Sequence, residues 1–267
     1  MEKLKTYIRK NPLKTFFIVL FISYGVLNSI LTGSQTNDEN TEAKNALKEI
    51  AAETSKQIDD AEKDLYESEK YKFNKFKSDK KDPLTIVVKV IQEFKIQDNK
   101  LSQKYLNQIA LIDIENALAD DTFLSGEKIN MYIKNTRKLK HLLDNYVGKN
   151  KILLSKVKDK LSASLSKKNF KIAVKGMNKS AIYFDNNVRA TYHYYKTLEQ
   201  LLLLAKDMNA KNQFILESGN LVVKDDFYVN EYNNSLGDHN AALTALEKAE
   251  NDYAKHMKSL IDRIKNI

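Results

Sequence analysis

Residues 236–267, LGDHNAALTALEKAENDYAKHMKSLIDRIKNI, decide the fold class of this 267-residue chain. In this segment, positions separated alternately by three and four residues form a seam that is mostly apolar. The seam consists of Leu236, His239, Leu243, Leu246, Glu250, Tyr253, Met257, Leu260, Ile264 and Ile267. This spacing places the side chains on one helix face, as in a coiled coil. His239 and Glu250 are the two polar positions of the seam.

Similar helical patterns fill much of the chain before this seam. A charged helix is predicted up to about Asp82, where Asp82-Pro83 supplies an N-cap followed by a first-turn proline. The next predicted helix extends from there to about Ala119, and a third begins at Ser125. Gly148 is a candidate helix end. From Lys151 to Lys206 the pattern predicts one long helix, or two in series with a break near Gly176.

A short segment near 214–223, FILESGNLVV, departs from the helical pattern. Two runs rich in β-branched and aromatic residues flank Ser218-Gly219-Asn220, which is typical of a β-hairpin. The sequence therefore predicts an all-α protein, an antiparallel bundle of long helices with a coiled-coil-like C-terminal helix. A small β-hairpin is inserted, and one N-terminal transmembrane helix precedes the bundle.

The N-terminal segment has the charge pattern of a membrane anchor. Residues 1–14 carry five basic side chains against one acid, and residues 15–34, TFFIVLFISYGVLNSILTGS, carry no charge. Twenty helical residues span about 30 Å, the thickness of a hydrocarbon core. The basic flank predicts a cytoplasmic N-terminus. Residues 35–42 then form a short stalk, and residues 43–267 form an exported helical domain.

Cleavage of a signal peptide near Gly33 is the alternative interpretation of this segment. It predicts a secreted domain instead of a single-pass membrane protein. The uncharged stretch is longer than the 7–15 residues typical of a cleaved signal, and no Ala occupies the candidate cleavage site near Gly33. These features favour the uncleaved anchor, and both interpretations place the helical domain outside the cytoplasm, periplasmic or extracellular.

Positive charge is concentrated in the middle of the chain. Residues 127–196 contain 17 basic and four acidic side chains, whereas the whole chain has a net charge of +9. If one helix covered 149–171, five lysines would fall on one face: Lys149, Lys156, Lys160, Lys167 and Lys171. Such a face predicts an anionic partner. A Lys-rich composition alone would also give a solvated basic face, so both explanations stay open.

Few residues form patterns that carry chemistry. The absence of Cys excludes disulfides and thiol catalysis, and no phosphate-binding glycine loop or zinc-binding His motif is present. Tyr192, His193 and Tyr195 are candidates for lining a ligand groove, although core and rim packing is the commoner role of such aromatics. His239 is predicted at a partly exposed helix end, with a buried pH-sensitive position as the alternative.

The sequence therefore predicts a non-catalytic binding or structural protein with no cofactor and no metal. It is expected to attach to the membrane through residues 15–34 and to present its bundle to a protein or an anionic envelope polymer. The alternative is a domain that binds a small ligand or lipid through an inter-helix groove or the lysine face. Nucleic acid is not an expected partner, since only four of 44 basic residues are Arg. Oligomeric state stays open.

Overall fold

A computed structural model describes residues 41–62, 76–78, 82–218 and 220–266, without the side chains of 57–62. Of these residues 84% are helical, and a two-stranded hairpin accompanies the helices, as predicted. The elements are α1 (Thr41–Glu62), α2 (Pro83–Ile109), α3 (Asp120–Phe123), α4 (Gly126–Ser164), α5 (Lys167–Ala210), β1 (Phe214–Glu217), β2 (Asn220–Val223) and α6 (Asp226–Lys265).

Two predicted helix starts are confirmed by side-chain caps. Asp82 Oδ1 accepts a hydrogen bond from the Thr85 amide at 3.0 Å, directly before Pro83. Ser125 Oγ accepts one from the Lys128 amide at 3.3 Å. Both bonds satisfy amides that have no partner within the first helical turn.

The second helix ends ten residues earlier than predicted, at Ile109 instead of Ala119. The segment after Ile109 forms turns instead of a helix. Their hydrogen bonds join the Ile112 amide to the Ile109 carbonyl and the Ala117 amide to the Ile114 carbonyl. Asp113 also accepts a bond from the Glu115 amide through its side chain. Short polar side chains that bond to the nearby backbone compete with helix formation, so Asp113 favours these turns over a continued helix.

The predicted glycine breaks at Gly148 and Gly176 were wrong, since α4 and α5 continue through them. The chain instead breaks between Ser164 and Lys167. Ser166 Oγ accepts a hydrogen bond from the Asn169 amide at 3.3 Å and thereby caps α5. An interior glycine costs a helix only about 1 kcal/mol, which packing readily offsets.

The hairpin has the predicted boundaries. Its strands pair antiparallel in a register that joins Phe214 to Val223 and Glu217 to Asn220. At its start, Asn212 has a φ of 54°, and the Gln213 amide bonds to the Met208 carbonyl. This left-handed residue ends α5 in a Schellman-type cap.

The described residues belong to two compact units, and α4, α5 and α6 each contribute to both. The first contains residues 107–145 and 187–249, and the second contains 41–106, 146–186 and 250–266, within the described ranges. In the first, Arg137 and Lys140 both bind Glu199, which joins α4 to α5. In the second, Asn150 binds Asp98 and Tyr146 lies beside Ser102, so α2 and α4 pair in antiparallel order.

The C-terminal seam provides core side chains to both units. Of the nine seam positions that the structure describes, all except the half-buried Leu236 are buried, including His239 and Glu250. The tenth position, Ile267, lies outside the described residues.

The predicted basic N-terminus and transmembrane anchor, residues 1–34, lie outside the described residues, as does the predicted stalk up to residue 40. Residues 41 and 42 of that stalk already belong to α1. Among the described helices, none combines the length and apolar character needed to cross a membrane.

Candidate functional site

The five predicted lysines are exposed, but they do not share one helix. Lys149, Lys156 and Lys160 lie on α4, whereas Lys167 and Lys171 lie on α5. The prediction assumed a continuous helix over 149–171, and the cap at Ser166 interrupts it. The proposed single ridge is therefore corrected to two sets of lysines on successive helices.

A longer regular set occurs on α5 alone and was missed. Lys167, Lys171, Lys175 and Lys179 follow one another at intervals of four residues, and all four are exposed. We call these four residues the lysine row. The signal was present in the sequence KKNFKIAVKGMNK, but the assumed continuity with α4 grouped the first two lysines with the wrong neighbours.

The lysine row has an unfavourable charge distribution for an isolated helix. Like charges four residues apart destabilise a helix by about 0.2–0.5 kcal/mol per pair. The first turn of α5 contains no acid that would offset them. Within the part of the chain that the structure describes, no acid forms an ion pair with the row, whereas Lys160 on α4 is paired with Glu93. Among the described residues, the row therefore presents positive charge without an ion-pair partner.

The positive potential extends from the row toward α6. Burial lowers the pKa of His256, and the charges of Lys179 and Arg263 lower it further. His256 also stacks on Tyr183 with 4.2 Å between ring centroids, and its Nε2 lies 2.9 Å from Ser180 Oγ. The nearby cations oppose the protonation of His256 that a Ser–His nucleophile mechanism requires, and Ser180 is buried.

The three predicted groove aromatics differ in their burial. Tyr192 is 39% exposed, with Lys140 Nζ 5.4 Å from its ring centroid, and His193 is also exposed. Tyr195 is buried in the first unit, beside Tyr194. Tyr192 and Tyr195 are three positions apart and therefore lie near each other on the surface of α5, yet only Tyr195 is buried.

His239 is fully buried, which corrects its predicted partly exposed position. Its Nδ1 lies 3.1 Å from Thr197 Oγ1, and its ring packs against Tyr194 at 4.9 Å. Nε2 has no hydrogen-bond partner among the described residues. Burial lowers the pKa of His239 to about 4. Its neutral form is therefore the one that the fold favours.

A second group of polar residues is buried between α2 and α4, and we call it the buried polar cluster. Its members are Lys95, Asp98, Ser102, Tyr146 and Asn150, all buried. Asp98 Oδ1 accepts hydrogen bonds from Asn150 Nδ2 at 2.9 Å and from the Tyr146 hydroxyl at 3.5 Å. The Tyr146 hydroxyl also lies 3.3 Å from Ser102 Oγ. These contacts fix the two helices at one register.

Burial has opposite effects on the two ionisable members of this cluster. It raises the pKa of Asp98 to about 6, although Lys95 and the two hydrogen-bond donors oppose this rise. It lowers the pKa of Lys95 to about 8, and the charges of Asp98 and Glu53 oppose that decrease. Desolvation disfavours the charged form of each group. Sequence reasoning missed this cluster because an i, i+3 Lys–Asp pair on a helix is usually exposed.

Other classes of site find little support in the described residues. Within the described ranges, no group of three or more His, Cys, Asp or Glu side chains is placed to hold a metal ion. No family model matches the chain, and no curated protein or solved structure shows significant similarity to it.

Proposed function

We propose that this chain is a membrane-anchored helical protein that binds an anionic partner, a protein or a polymer, at the cell envelope. The binding role is non-catalytic. The observation that carries the proposal is the exposed positive surface of α4 and α5, above all the lysine row. A surface of one sign attracts partners of the opposite sign and increases their rate of encounter.

The anchor and the orientation are parts of this proposal that come from the sequence. Residues 15–34 would span the membrane, with the basic residues 1–14 in the cytoplasm. The lysine surface would then lie outside the cytoplasm. Anionic lipids of the cytoplasmic leaflet would not reach it there, so a component of the envelope becomes the natural partner.

Site-directed labelling tests this topology with little background, because the natural chain contains no Cys. Ser162→Cys places a thiol at an exposed position of α4, and Lys3→Cys places one in the basic N-terminus. We expect a membrane-impermeant maleimide to label the first variant in intact cells, after permeabilisation of an outer membrane where one exists. Lys3→Cys should be labelled only after lysis.

The opposite pattern, with Lys3→Cys labelled first, would reject the proposed orientation. Protection of both thiols until lysis would show that the helical part is not exported. A denatured sample of each variant is the control, since both thiols should react fully there.

A further inference from the structure

We propose that the lysine row on α5 is a binding track for a linear polyanion, whose successive charges contact successive lysines. This inference rests on the proposed function and specifies the partner: a flexible polymer that carries a phosphate or carboxylate group on most repeating units. It concerns Lys167, Lys171, Lys175 and Lys179, which are all exposed.

The arrangement of the row favours an extended ligand over a compact one. Helical residues four positions apart are separated by about 6 Å along the axis, so the row extends over about 18 Å. Each step also rotates by about 40°, and the row therefore winds slowly around α5. The lysines follow a line and do not converge on one point, as the donors of a site for a single small anion would. A flexible polymer can follow such a line.

The surroundings of the row favour a polymer over a lipid surface. A helix that lies on a membrane inserts a continuous apolar face beside its basic residues. The apolar face of this part of α5 is already buried, with Ala173, Met177 and Phe184 in the core of the second unit. Ile182 is the one large apolar side chain of residues 167–186 that is exposed, at 60%.

The electrostatic environment provides an independent argument for an anionic ligand. No acid of the described residues is paired with the row. At its C-terminal end, the charge of Lys179 lowers the pKa of His256 on α6, as does the charge of Arg263. A bound polyanion would offset the repulsion between the lysines, and binding would release its condensed counterions.

The test uses the full-length protein in detergent micelles and end-labelled, long-chain inorganic polyphosphate, with fluorescence anisotropy as the measurement. The row variant combines Lys167→Gln, Lys171→Gln, Lys175→Gln and Lys179→Gln. The matched control removes the same charge from four other exposed positions through Lys48→Gln, Lys104→Gln, Lys248→Gln and Lys255→Gln. A third variant replaces the four row lysines by Arg.

We expect the row variant to raise the Kd by at least about tenfold at low salt and to reduce the slope of log Kd against log salt concentration by about three to four. The control should change the Kd by less than about threefold, and the Arg variant should bind like the wild type, because both keep the row's charges. Unchanged circular dichroism and thermal unfolding would show that each variant folds.

Equal weakening in the row variant and the control would overturn the proposal, because net charge alone would then explain binding. Wild-type binding to vesicles of phosphatidylglycerol without binding to polyphosphate would also overturn it. This assay does not depend on topology. A negative result in the binding assay would therefore not affect the proposed membrane anchor. A cytoplasmic location in the labelling experiment would reject the envelope role without affecting polyanion binding.

Discussion

The most unusual residue of the buried polar cluster is Asp98, a carboxyl group in the core between two helices. Its charged form is held by Asn150, Tyr146 and the nearby Lys95, yet burial still raises its pKa to about 6. A buried ionic group of this kind is weak evidence for added stability, because desolvation offsets its attractions. It therefore has a measurable signature in the pH dependence of unfolding.

Asp98→Asn should remove a fall in stability that occurs between about pH 4 and pH 6. The folded protein binds a proton at Asp98 more tightly than the unfolded chain does, so the free energy of unfolding falls as the pH rises through this window. A pKa difference of about two between the folded and unfolded chains corresponds to about 3 kcal/mol, an upper bound for the effect. Urea titrations at a series of pH values would measure the difference between variant and wild type.

Asp144→Asn, at an exposed position of α4, is the matched control for the change from Asp to Asn itself. Identical profiles for Asp98→Asn and the wild type would contradict the structure, because they would mean that Asp98 is solvated.

His239→Leu should produce the opposite pH effect in the first unit. The fold holds His239 neutral, with a pKa of about 4, so the wild type loses stability as the pH falls from about 6.5 towards 4. The Leu variant cannot lose stability in this way. The difference in the free energy of unfolding between the variant and the wild type should therefore grow on acidification by up to about 3 kcal/mol. Unfolding curves at pH 7 and pH 4.5 would measure it.

At pH 7 the same change should be nearly neutral. Thr197 retains hydrogen bonds to the carbonyls of His193 and Tyr194 after His239 is removed, so no new unsatisfied hydroxyl is created. His141→Leu, at an exposed position of α4, provides the control. A constant difference between His239→Leu and the wild type at both pH values would show that His239 titrates normally.

At the level of elements, the sequence predicted what local chemistry determines. Asp82-Pro83 and Ser125 start helices because their side chains cap amides directly, and the Ser218 turn joins the two strands. Helix ends were predicted less well. Asp113 makes a local backbone bond in the turns that follow α2, whereas Gly148 does not end α4, because its small penalty is outweighed by the packing of that helix.

Gly148→Ala should stabilise the protein by about 0.5–1 kcal/mol, because it removes backbone freedom from the unfolded chain without strain. A Cβ atom at this position has no atom within 4 Å outside its own helix. Gly126→Ala is the control: its Cβ would lie 3.2 Å from Asn209 Oδ1, so its gain should be smaller. Thermal unfolding measures the stability of both variants. A lower stability of Gly148→Ala than of the wild type would argue for a helix break at Gly148.

The hairpin depends on its attachment to the helices, because two strands alone are marginally stable in water. Phe214 is buried against Phe123 at 5.6 Å and Tyr232 at 6.3 Å between ring centroids. Phe214→Ala should cost about 3 kcal/mol and release the hairpin to proteolysis. Leu216→Ala, at a 56% exposed position of the same strand, should have little effect. Equal protease sensitivity of both variants would contradict this packing.

In the whole molecule, the distribution of charge could be read from the sequence, whereas the assignment of the lysines to their helices could not. The excess of basic residues in 127–196 follows directly from the composition of that segment. The position of each lysine depends on where α4 ends, and the Ser166 cap that separates Lys160 from Lys167 was not recognised. The buried polar cluster was equally inaccessible, since it requires knowing that Asp98 faces Asn150 across two helices.

We propose that a membrane-anchored bundle displays this positive surface outside the cytoplasm. The decisive experiment is to isolate the native full-length protein, wash its membranes at alkaline pH and determine the intact mass. We predict that the protein stays in the washed membranes and retains the N-terminal segment, residues 1–34. A soluble protein whose mass places its N-terminus near Ser34 would contradict the anchor and identify a secreted helical domain instead.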